Sequence, residues 1–89
     1  MNQTLKSSIA EKFRNTPMGF LRIKRNLGIV KYSDSETETY IRKTILSTPL
    51  EEIETIGKNH YFKCLKNNVI LTVNSHTFTI ITAKQITNK

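Results

Sequence analysis

NVILTVNSHTFTIITAK, Asn68 to Lys84, is the stretch whose reading decides the fold. Val69, Leu71 and Val73 alternate with Ile70, Thr72 and Asn74. After Ser75 and His76, the residues Phe78, Ile80 and Thr82 alternate with Thr77, Thr79, Ile81 and Ala83. β-Branched and aromatic residues at period two make a hairpin of two half-buried strands. The hairpin carries a polar remainder. His76 sits next to the turn, Thr79 and Thr82 lie along the last strand, and Lys84 stands just past its end.

The same period extends backwards from the hairpin. Glu51 to Ile56 reads as a strand, Gly57-Lys58-Asn59 as a turn, and His60 to Leu65 as a second strand. In that strand Tyr61, Lys63 and Leu65 lie on one side, with Phe62 and Cys64 on the other. Lys66-Asn67-Asn68 makes the next turn. Four successive strands joined by short turns give an antiparallel meander. One face of such a sheet needs a cover, and residues 1–48 supply it. Leu5, Ile9 and Phe13 at i, i+4 and i+8 predict a helix from Gln3 to Arg14, with Lys6, Lys12 and Arg14 off the apolar stripe. Thr16-Pro17 is a cap followed by a proline at the first helical position, and Gly28 a stop, so a second helix runs to about Leu27. Its apolar face holds Phe20, Ile23 and Leu27, and Arg22, Arg25 and Asn26 share the opposite side. Ser33 and Glu36 have the spacing of a capping box for a third helix, and Pro49 ends it. Ile41 and Ile45, with Thr37 and Thr48, form its inner stripe. The expected fold is α+β: N-terminal helices packed on a four-stranded antiparallel meander. The chain reads as one domain over residues 1–89, helical over 1–48, sheet over 51–84, with a tail over 85–89.

A single domain of 89 residues buries a modest share of its surface, so a deep cofactor cavity is not expected, and no cofactor is implied. No apolar run is long enough for a membrane span, and the N-terminus lacks the apolar core of a signal peptide. A single cysteine, Cys64, leaves no internal disulfide and suits a cytoplasmic protein. The formal charge of +7 is unevenly spread. Residues 1–33 carry seven basic side chains and one acid, residues 34–54 carry six acids, and residues 55–89 carry five lysines and no acid. Basic ends around a sheet expected to carry no carboxylates attract a polyanion: RNA or another nucleic acid, or an acidic protein. The bland alternative is that the excess only keeps the chain soluble.

No metal site can be assembled. Two histidines and one cysteine do not close a zinc set, and the acids have no ligand-like spacing. Cys64, alternating with aromatics, reads as core. His76 is the best acid–base candidate, since its ordinary pKa lies near neutrality. Metal-free RNA cleavage needs a base, an acid and cations at the phosphate. His76, Lys84 and Thr79 are the residues expected to carry it, with Lys58 and the Arg22/Arg25 pair as further cations. Against this, His76 can be a plain turn residue and the threonines ordinary strand formers. Gly57 to Tyr61 can cradle a phosphate through Lys58 and Asn59 and stack a base on Tyr61, or be a simple turn with a core tyrosine. Arg22, Lys24 and Arg25 make a phosphate stripe or a solvated helix face, and Thr82 is a further hydrogen-bonding group.

The order TPMGFLRIKRNLG (16–28), GKNHYF (57–62) and the closing NSHTFTIITAK resembles a family of small bacterial proteins of unknown function. His60 stands where that family usually has a tryptophan, which weakens any stacking at this position. The family implies no activity. The topology looks like the small ribonuclease toxins of the RelE, BrnT and colicin D kind. That likeness implies a basic sheet face that holds RNA. Two readings follow: a metal-independent, toxin-type RNA endonuclease, or a non-enzymatic phage or mobile-element protein that binds nucleic acid or a nucleic-acid-binding partner. An exposed edge strand also admits a homodimer.

Overall fold

The computed structural model describes residues 1–86. Three helices precede the sheet: α1 (Gln3–Lys12), α2 (Pro17–Leu27) and α3 (Asp34–Ser47). A 3-10 turn over Leu50–Glu52 leads into β1 (Ile53–Ile56), β2 (Asn59–Cys64), β3 (Val69–Asn74) and β4 (Ile80–Gln85). The strands are antiparallel and lie in the order β1-β2-β3-β4, so the fold is α+β with N-terminal helices on a meander.

The capping chemistry is that of the sequence. Thr16 accepts from the Gly19 amide, Gly28 turns left-handed at φ 70°, and Ser33 and Glu36 close a capping box. The inner stripe of α3 is Thr37, Ile41, Thr44, Ile45 and Thr48, all buried. Its buried threonines satisfy their hydroxyls on carbonyls four residues back, which lets a polar residue sit in the core.

Register rows define the two faces of the sheet. Ile53, Phe62, Leu71 and Ala83 stand side by side, as do His60, Val73 and Ile80, and these rows are buried under the helices. Glu54, Tyr61, Thr72 and Thr82 form a row on the other face, and Lys63, Ile70 and Lys84 form the next.

Several boundaries differ from expectation. Helix α1 stops at Lys12, because Arg14 pairs with Thr79 beside the sheet. The first strand begins at Ile53, since Leu50–Glu52 coil into the 3-10 turn. The second strand is shifted by one residue, with its faces as expected. In β4 a register irregularity opposite Thr72 and Val73 inserts one residue, so Ala83 turns inward and Thr82 outward. The simple alternation of Phe78, Ile80 and Thr82 therefore breaks after Ile80. β4 also continues through Gln85, the first residue of the expected tail; residues 87–89 of that tail lie outside the described residues. The sheet is not free of carboxylates either, because Glu54 lies within β1 on the uncovered face. Lys6, expected on the solvent side of α1, is buried and donates to the Thr48 carbonyl at 2.7 Å.

Candidate functional site

The polar residues of the hairpin occupy three separate places. The first is the loop end of the sheet. Asn74 organises it: its Oδ1 accepts from the amides of His76 at 2.8 Å and Thr77 at 3.0 Å. The Phe78 amide donates to the Asn74 carbonyl, and Phe78 itself sits at φ 60°, a left-handed conformation costly for a bulky residue. The Ser75 amide donates to the Lys58 carbonyl at 2.7 Å, which ties this loop to the β1–β2 turn. On the other side, the Arg14 amide donates to the Phe78 carbonyl and the Ile80 amide to the Arg14 carbonyl, each at 2.9 Å. Lys58, His76, Thr79 and Arg14 therefore share one end of the molecule. The His76 side chain is exposed there, and the Thr79 hydroxyl accepts from Thr77 at 2.8 Å.

Lys84 is not at that end. Thr79 bonds Asn74 and Lys84 pairs with Ile70, four steps along β3, so the two lie about 13 Å apart at ~3.3 Å per strand residue, and Lys84 faces out beside Ile70. The triplet His76, Thr79 and Lys84 is thus split, with two members at the loop and one at the far end of the strand.

The second place is the uncovered face of the sheet. Asn59, Tyr61, Ile70, Thr72, Ile81, Thr82 and Lys84 line a groove of about 350 Å³. A neighbouring groove of about 400 Å³ shares Tyr61 and Ile70 and is rimmed by Glu51, Glu52, Glu54 and Lys63. Asn59, Tyr61 and Thr82, three of the candidate binding residues, lie together here without Lys58, and acids stand along the β1 side of the same face.

The third place is the edge made by α2 and β4. Arg14 pairs with Thr79 just before α2 begins, and Gln85 donates to the Leu27 carbonyl where α2 ends. The helix therefore runs alongside β4 for its whole length. Neither element contains an acid, and Arg14, Arg22 and Arg25 are exposed. Lys24 differs from its neighbours. It pairs with Asp34 at 2.7 Å and lies 5.9 Å from the centre of the Phe20 ring, so it joins α2 to the start of α3. Among the described residues this is the only ion pair.

Other candidates have structural partners. His60 is buried on the helix-covered face, with Nδ1 2.7 Å from the Thr55 hydroxyl. Burial, and secondarily the N-terminal ammonium, hold its pKa below the usual histidine range. Cys64 is buried and unbridged. Among the described residues no three His, Cys, Asp or Glu side chains gather as a metal site, and no helix is long and apolar enough to cross a membrane.

Arg14 is the residue that sequence reasoning misplaced. Reading Leu5, Ile9 and Phe13 as a stripe carries the helix through Arg14. The signal against it was present in Thr16-Pro17: a capped helix starting there needs extended residues before it.

No curated protein and no solved structure matches the chain. A family described as proteins of unknown function, DUF3781, matches residues 7–84. That span holds α2, α3 and the sheet almost to its last residue, and the chain belongs to the DUF3781 family.

Proposed function

We propose that this protein is a non-enzymatic nucleic-acid-binding module that docks a phosphate backbone along the α2/β4 edge. The observation that carries this reading is the acid-free edge itself, with Arg14, Arg22 and Arg25 exposed along it and without ionic partners among the described residues. Guanidinium groups on a rigid helix grip phosphates through paired donors and release condensed counterions on binding. Lys58 and His76 extend the positive and polar surface around the loop end. Thr77 and Thr79 add hydroxyls there.

Binding is favoured over cleavage because proton transfer needs groups within hydrogen-bond reach of one phosphate. Lys84 stands about 13 Å of strand away from the His76 loop. The backbone around His76 is held by Asn74, while no described side chain orients its imidazole.

The test is fluorescence anisotropy with a labelled single-stranded RNA in chelator. The double variant Arg22→Glu/Arg25→Glu is expected to bind at least about tenfold more weakly, since two phosphate contacts become repulsions. Unchanged affinity would remove the edge from consideration. In the same tubes the RNA should stay intact. Cleavage by the parent protein that vanishes in His76→Ala would favour the endonuclease instead.

A further inference from the structure

The uncovered face of the sheet has a pattern that the nucleic-acid reading does not use. An apolar band crosses it from edge to edge: Ile56 on β1 is 60% exposed and Ile81 on β4 43% exposed, with Tyr61 and Ile70 on the strands between them. Its charges are sorted by side. Glu51, Glu52 and Glu54 stand on the β1 side, and Lys84 stands on β4 at the opposite edge, with Lys63 on β2.

We propose that this face docks a second copy of the chain, face to face, about a two-fold axis parallel to the strands. Such an axis lays β1 of one copy over β4 of the other and keeps each row opposite itself. Glu52, next to Ile53 and on the rim shared with Lys63, then meets Lys84 of the second copy. Both ends of the interface gain this pair, as a self-complementary contact requires. Ile56 meets the groove beside Ile81, and Ile81 the groove beside Ile56. Tyr61 lies over Thr72, and the Lys63 stem over Ile70. A two-fold axis perpendicular to the strands would set acid against acid on β1, so the charge pattern selects the first arrangement.

The footprint sets the expected strength. Four strands at ~4.8 Å spacing and six residues at ~3.3 Å give about 400 Å² per copy. That is about 800 Å² in all, below the size of a standard specific interface, so only a weak, concentration-dependent dimer is expected. The net charge of +7 on each copy opposes it. At physiological ionic strength this long-range repulsion is screened beyond about 8 Å, while the close pairs keep most of their attraction.

Sedimentation velocity over a roughly hundredfold concentration range tests this. The parent protein is expected to shift from monomer towards dimer. Glu52→Lys alone and Lys84→Glu alone should each dimerise at least about tenfold more weakly, one pair at each end being lost. Mixed together, they should form a heterodimer, because each new lysine then faces a new or native glutamate and each remaining lysine a glutamate. A parent protein that stays monomeric throughout, or a mixture that associates no better than its components, would overturn the proposal. Monomeric protein whose tyrosine fluorescence is quenched by an oligonucleotide would also overturn it and give the face to nucleic acid. The RNA result with Arg22→Glu/Arg25→Glu is independent, because those residues lie on the helical layer.

Discussion

His60 shows how one side chain links burial to pH. It stands between Thr55 and Val73 in the sheet and packs under the helices. Burial disfavours its charged form, so its folded pKa lies below the unfolded value. Above about pH 6.5 both states carry neutral imidazole and the stability is intact. As pH falls below that value the unfolded chain takes up a proton that the folded chain resists, and stability declines until the folded pKa is passed. Urea midpoints measured from about pH 7.5 to 5 should therefore fall in the parent protein, and fall less in His60→Gln. Equal slopes in the two proteins would sink this account. The sequence showed that His60 shares a face with Phe62 and Cys64 only through alternation; it did not show that the face is buried at that end. Lys6 and Arg42 teach the same lesson. Lys6 donates to the carbonyl of Thr48 at the end of α3, and Arg42 donates to the Ala10 carbonyl at 2.8 Å near the end of α1. Each helix thus supplies a cation for the other's C-terminus, where the dipole favours it. Counting charges could not separate these two cations from those free to meet a partner, because the pairing spans 42 and 32 positions of chain.

At the level of elements, the loop that carries His76 depends on Asn74. Its side-chain oxygen gathers two amides and the Thr77 hydroxyl, and its backbone closes the turn with Phe78. Replacing it, Asn74→Ala, should cost about 1 kcal/mol, the usual net value of an exposed hydrogen-bonded cap. Amide exchange at His76 and Thr77 should quicken more than exchange in β2. Unaltered protection at those two amides would show that the loop is held by Phe78 packing instead. The hairpin itself was legible, since β-branched residues at period two leave few alternatives. So were the helix starts, because Thr16-Pro17 and Ser33/Glu36 are local chemistry. The bulge in β4 was not legible. Ile80 and Ile81 are both apolar, and either can lead the inward phase, so only the pairing with β3 decides that Thr82 faces out. The same holds for the distance between His76 and Lys84, which alternation leaves unstated.

For the whole molecule, the decisive quantity is how much of the +7 charge acts at one place. Lys6 and Arg42 sit on carbonyls, Lys24 is paired with Asp34, and Lys63 shares its groove with three glutamates. Lys84 of β4 faces the uncovered side of the sheet, so the cations left around the α2/β4 edge and loop end are Arg14, Arg22, Arg25 and Lys58. Four phosphate contacts predict a slope of log affinity against log salt near −3 for single-stranded RNA, from about −0.7 per contact. Arg22→Glu/Arg25→Glu should reduce the slope to about −1.5. If the net charge acted as a diffuse whole, seven contacts would give about −5, and the double substitution, which removes two charges at each position and takes +7 to +3, would leave about −2. Anisotropy titrations of both proteins at several salt concentrations separate the two cases. A steep slope that survives the double substitution would mean that this edge has no special role, whatever the affinity.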